Sequence, residues 1–237
     1  MSKNSVKTKT TDVDYAETAV PAEGRRGFIT MFMIMLGFTF FSASMWAGQE
    51  MAAGLDFWGF VKALILGGVI LGIYTGLLGY VGAKTGLSMD LLARKAFGER
   101  GSCISSAMIS FTQIGWFGVG VAMFALPVSK ELLGGSEAAM WILVILAGGC
   151  MTASAYFGIE SLTVISYIAV PLVGILGTVA MVMAVSRGDG TIIDQFAVSS
   201  RSLSVIGGAG LVIGSFVSGG TATPNFTRFA KDAKTGT

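Results

Sequence analysis

The sequence contains no histidine, which excludes imidazole acid–base chemistry and imidazole metal sites. Its two cysteines, Cys103 and Cys150, both sit in or beside apolar runs and are too few for a disulfide framework or a thiolate metal cluster. Charged residues make up only 13% of the chain, and no carboxylate pair lies within an apolar run. An intramembrane enzyme is therefore not expected. The Gly-rich pieces GVG and GGAGLVIG lack a P-loop lysine or a Rossmann acid, so neither nucleotide binding nor any other cofactor is expected. The basic ends carry topogenic charge and do not form a nucleic-acid patch. Residues 1–24 are polar, with no apolar core of a signal peptide.

What the chain has is hydrophobic length. Hydrophobic residues make up 53% and the mean hydropathy is +0.72. Uncharged runs of about 20 residues recur, each able to span roughly 30 Å as helix. The reading is an all-α integral membrane protein in a lipid bilayer, with six spans near 27–54, 57–83, 101–129, 138–159, 161–186 and 203–222. A short interfacial helix is expected over 89–97, and residues 1–26 as a disordered tail. Glu160 is the only charge between the fourth and fifth spans, so these should be antiparallel neighbours. Pro171 should kink the fifth span unless its freed carbonyl is otherwise satisfied. Gly68, Gly72 and Gly76 form overlapping GxxxG motifs, which predict a tight packing face.

Basic residues set the expected orientation. With the N-terminus in the cytoplasm, Lys3, Lys7, Lys9, Arg25, Arg26, Lys84, Arg94, Lys95, Arg100, Arg228, Lys231 and Lys234 fall inside. Only Lys62, Lys130, Arg187 and Arg201 fall outside. The bias places both termini in the cytoplasm, in the cell's inner (plasma) membrane.

The third span reads FTQIGWFGVGVAMFALP from Phe111 to Pro127. Gln113 and Trp116 lie three positions apart, on one helical face. An amide that deep in hydrocarbon is costly without a partner, which makes it a candidate substrate contact. An interfacial tryptophan beside a small-residue packing seam fits the same residues. Two further stretches stand out: GFTFFSASMWAG in the first span and the middle of the sixth, which should lose helical character at Ser218-Gly219-Gly220. Interrupted helices at corresponding positions of two halves point to the binding site of a secondary transporter. Glycine packing contacts are the plainer reading of both. Ser215, Phe216 and Ser218 suit a small planar heterocycle, which Trp116 and Phe216 could sandwich. Gln113 both donates and accepts, matching the amide-like edge of a pyrimidine or purine. Phe216 also fits a core aromatic.

The strings GFTFFSASMWAG, LGIYTGLLGYVGAKTGL, LLARKAFG, TQIGWFGVGVAMFALPV and GSFVSGGTATPNFTRFAKDAK together resemble the cytosine permease branch of the nucleobase:cation symporter-1 family, from Arg26 to the end. The resemblance implies a twelve-helix fold with two inverted five-helix repeats and broken helices 1 and 6. It implies cytosine import coupled to sodium or protons, sodium being favoured. It places the base between Trp116 and Phe216, with Gln113 at its edge and Ser215 and Ser218 in contact. It gives the cation the carbonyls of Gly37 and Phe40. Purines, hydantoins, allantoin and thiamine precursors are alternative substrates in the same family. Relatives often carry Asp where this chain has Asn225, so a role for that charge is lost or moved. Helices 7 to 12 of the family fold would follow Thr237. The reading is therefore a truncated transporter domain over 27–237, completed by another chain, inactive alone, or a nontransporting membrane subunit or gene remnant.

Overall fold

The computed structural model describes residues 15–187, 192–196 and 200–237. Residues 1–14 of the expected tail, and parts of the polar loop before the sixth span, lie outside the described residues. After a 3-10 turn (Ala22–Gly24) come α1 (Phe28–Thr39), α2 (Ser42–Gly54), α3 (Phe57–Thr85), α4 (Met89–Leu132), α5 (Glu137–Tyr156) and α6 (Gly158–Arg187). Then follow α7 (Ile192–Gln195), α8 (Val205–Thr221) and α9 (Pro224–Thr227). Among the described residues the regular structure is helical. By length and composition α3, α4, α5, α6 and α8 continued through α9 can each cross a membrane. The pair α1–α2, bent by 54°, passes the same test when its two helices are taken together, which gives five spans or six if the pair counts as one. The protein is an all-helical, multi-pass membrane protein.

Local sequence sets the helix ends. Asp56 Oδ1 accepts the Gly59 N–H at 3.1 Å ahead of α3. Ser88 Oγ accepts from Leu91 at 3.3 Å ahead of α4, and Ser204 Oγ accepts from Gly207 at 3.0 Å ahead of α8. Each cap satisfies an amide that the first turn leaves orphaned, worth about 0.5–2 kcal/mol. Within α4, Gly98 adopts φ 73° and ψ 179°, a conformation outside the reach of most L residues. It divides the short helix expected over 89–97 from the span that follows. The link between α5 and α6 is Phe157 alone, and Gly158 opens α6 with φ 68°. Glu160 therefore lies in the first turn of α6 and not in the link. Helix α6 continues on both sides of Pro171.

The most extensive helix–helix packing is between α3 and α8, and glycine makes it possible. A methyl group on Gly67 would stand 2.6 Å from Val212 Cβ and 3.0 Å from the Ala209 carbonyl oxygen. A methyl on Gly208 would come 2.9 Å from Ala63 Cβ, and one on Gly220 2.7 Å from Thr75 Cγ2. The seam thus follows Ala63, Gly67 and Thr75. It does not follow the expected GxxxG face. A methyl on Gly68 or Gly72 would meet nothing within 4 Å, and one on Gly76 would meet only Thr237 Cγ2, at 3.7 Å. Small residues recur on two neighbouring faces of α3, and spacing alone does not say which face meets a partner.

The sixth span corrects the expectation at Ser218–Gly220. Helix α8 runs through these residues to Thr221. Gly219 and Gly220 serve close approach: a methyl on Gly219 would lie 3.2 Å from Phe38 Cζ. The interruption comes later, at Ala222–Thr223, where the Thr223 N–H turns to the Gly220 carbonyl at 3.2 Å. Pro224 then brings no N–H to continue the ladder.

The segment before α1 is also not the disordered tail that its polarity predicts, at least from Tyr15 onward. Val20 is buried with Met31, Ile34, Ala83, Ile159 and Phe229. The Val20 N–H donates to the Gly86 carbonyl at 2.9 Å, and Arg25 Nη1 to the Ala83 carbonyl at 2.9 Å, at the carbonyl-rich end of α3. The Arg26 N–H donates to the Phe229 carbonyl at 2.6 Å, and the Lys231 N–H to the Arg26 carbonyl at 2.8 Å. The Arg26 side chain pairs with Glu160, and Arg228 Nη1 reaches the Tyr15 carbonyl at 2.9 Å. These bonds strap the segment across the ends of α1, α3, α6 and α9. Mean polarity hides the one apolar anchor, Val20, and the arginine donors that hold it.

The glycine contrast gives a direct test. Gly67→Val should destabilise the protein by about 1–3 kcal/mol through overpacking. Gly72→Ala, which meets open space, should be neutral or stabilise by about 0.5–1 kcal/mol. Thermal unfolding of the detergent-solubilised variants separates the two.

Candidate functional site

The site begins at the break in the first span. The Phe40 N–H makes the last helical bond, to the Leu36 carbonyl at 3.0 Å. Phe40 then takes φ −74° and ψ 75°. The Phe41 N–H turns to the Thr39 carbonyl at 2.8 Å, closing an inverse γ-turn. In an unbroken helix that N–H would bond the Gly37 carbonyl. The chain re-enters helix at Ser42 on a new axis, so Phe38 and Phe41 both turn toward the bundle centre while Phe40 stays 42% exposed.

There they line a cavity of about 220 Å³. Helix α4 contributes Gln113 and Trp116, α5 contributes Met151, and α8 contributes Ser215, Phe216 and Ser218. The five residues expected to contact a base thus line one cavity. Trp116 Nε1 donates to Ser218 Oγ at 3.0 Å, tying α4 to α8. The Trp116 ring meets Phe41 edge-on, with centroids 5.5 Å apart. Phe216 meets Phe38 in the same manner, also at 5.5 Å. Ser215 Oγ donates to the Val212 carbonyl at 2.9 Å, which commits its proton and leaves its lone pairs to accept. Gln113 is half-buried at the wall. The lining carries no ionisable side chain, so it suits a neutral ligand read by hydrogen bonds and stacking. The volume lies below the usual range of roughly 300–1,000 Å³ for drug-sized ligands, which favours a small one.

Gly37 and Phe40 are placed differently. Neither lines the cavity. Gly37 faces α6, where a methyl would stand 2.9 Å from Ser166 Oγ. Sequence reasoning also missed Phe38, Phe41, Phe117 and Met151. The first two belong to a string it had singled out, but their inward direction depends on where the helix breaks. Asn225 has a structural task, since its Oδ1 accepts the Met89 N–H at 2.9 Å at the start of α4. A neutral amide oxygen suffices for that bond. Among the described residues, no group of three His, Cys, Asp or Glu could hold a metal ion.

Residues 19–237 match the model of a family described as permease for cytosine/purines, uracil, thiamine, allantoin. The chain belongs to this permease family. It is 44% identical over 223 residues to the cytosine permease of Escherichia coli (strain K12), a match covering 94% of this chain and 52% of that protein. The cytosine permeases of E. coli O6:H1 (strain CFT073) and O157:H7 match to the same extent. The chain spans about half the length of the curated relatives it matches.

The Trp116–Ser218 bond is testable in this protein without any ligand. Trp116→Phe and Ser218→Ala should each cost about 0.5–1.5 kcal/mol, and the double variant less than their sum. A double-mutant cycle on thermal or denaturant unfolding reads the coupling.

Proposed function

We propose that the protein acts in cation-coupled uptake of cytosine across the inner membrane, with its N-terminus in the cytoplasm. The observation that carries this reading is the convergence of Gln113, Trp116, Ser215, Phe216 and Ser218 on one small uncharged cavity. The base lies between Trp116 and Phe216. Gln113 donates to and accepts from its amide-like edge, and the hydroxyls of Ser215 and Ser218 complete the contacts. To admit the base, Ser218 keeps or exchanges its bond from Trp116. Sodium is the favoured coupling ion, with protons as the alternative. The carbonyls of Gly37 and Phe40 contribute to its site, supported by the Phe41 N–H turning away from the Gly37 carbonyl. Alternating access uses the inverted-repeat arrangement, with this unit as one side of the site. The name of the E. coli relatives favours cytosine over the other heterocycles in the family description.

The test is radiolabelled cytosine uptake by cells that produce the protein and lack other cytosine carriers. Uptake should need a sodium or proton gradient and fall in Gln113→Ala, which removes hydrogen bonds worth about 1–3 kcal/mol, a loss of about tenfold or more. Trp116→Ala should abolish it. Excess unlabelled cytosine should compete better than purines, uracil or allantoin. Gradient-independent uptake, or uptake unchanged in Trp116→Ala, would overturn the proposal.

A further inference from the structure

Of the cavities among the described residues, two others bear on the central one, and they are not equally connected to it. The central one shares Trp116 and Ser215 with a second cavity of about 330 Å³, which is lined by Trp46, Glu50 and the α8 glycines Gly210 and Gly214. Methyls placed on those two glycines would meet nothing within 4 Å, so α8 leaves this end open. The third cavity, about 350 Å³, lies under the strap and includes Ala16, Asp90, Asn225 and Phe226. It shares no lining residue with the central one.

An aromatic pair joins the linings of these two cavities. Phe38 lines the central cavity and Phe226 the cavity under the strap. Their ring centroids are 4.6 Å apart with planes tilted by 42°. Phe38 is held from the central side by Phe216 and by the close approach of Gly219. Phe226 is braced from behind, packed against the cluster that contains Val20 of the strap and Ile159 of α6. A backbone break lies just beyond Phe38, at Phe40–Phe41, while Phe226 follows a tightened helical turn at Ala222–Thr223, where the Thr223 N–H bonds the Gly220 carbonyl. Phe38 therefore sits beside a joint at which its helix can re-aim it.

We propose that Phe38 and Phe226 form the gate between the central cavity and the strap-side cavity, closed in this structure, with Phe38 also serving as the floor against which the ligand is positioned. Its role in a transport cycle rests on the cytosine-uptake reading, but the closure itself does not need cytosine or a cation.

Thiol accessibility tests it in membrane vesicles carrying the full chain. In a background with Cys103→Ser and Cys150→Ser, Ser215→Cys places a probe in the central cavity. A membrane-impermeant methanethiosulfonate is applied to either face, and an N-terminal tag identifies the strap face. With the native pair, modification should be much slower from the strap face than from the opposite face. Phe226→Ala and Phe38→Ala should each speed strap-face modification by about tenfold, near the upper end of what one aromatic pair contributes. Phe226→Leu and Phe38→Leu, which keep apolar bulk, should retain most of the slow rate and guard against simple misfolding. Equal rates from both faces with the native pair, or strap-face rates unchanged by both alanine variants, would overturn the gate while leaving the uptake reading untouched.

Discussion

In hydrocarbon, a helix that stops leaves carbonyl oxygens without donors, and each costs several kcal/mol unless something polar meets it. The turn at Phe40–Phe41 imposes that condition on the first span. A break of this kind is tolerated where it is buried in protein or lines a cavity. Here it does the second. It changes the axis between α1 and α2 by 54°, turns two phenylalanines inward and leaves a space between α4 and α8. An unbroken first span would carry Phe41 elsewhere and remove a wall of the site.

The rest of the fold holds that space to a defined size. The seam of α3 with α8, closed at Gly67 and Gly220, fixes how far α8 stands from the bundle. The indole of Trp116, bonded to Ser218, fixes α4 against α8 on the other side. The strap closes one end through Val20 and the arginines at positions 25, 26 and 228. The exposed Arg26–Glu160 pair alone contributes little, about 0–1 kcal/mol. The backbone bonds on either side of Arg26 and the buried Val20 hold the strap more firmly.

Much of this was legible in the chain. Apolar length located the spans, and Gln113 with Trp116 at a three-residue spacing marked the face of α4 that meets the cavity. Ser215, Phe216 and Ser218 were legible for the same reason, as polar and aromatic groups interrupting an apolar run. What depends on tertiary partners was not. Whether Gly67 or Gly68 bears the contact depends on where α8 lies. Whether Gly219 and Gly220 break a helix or admit a neighbour depends on Phe38 and Thr75. The order in residues 15–26 depends on carbonyls at the far end of α3 and on a backbone edge more than two hundred residues away. Composition averages such contacts away.

On the function proposed above, the break acts with α4 and α8 to form a site for one planar base. The most direct measurement is a structure of the protein determined with cytosine present at saturation. Density is expected for one base between Trp116 and Phe216, with the Gln113 amide at its edge and the Phe38–Phe226 pair still closed beneath it. A base bound elsewhere, or an empty cavity under saturating cytosine, would contradict that role for the break.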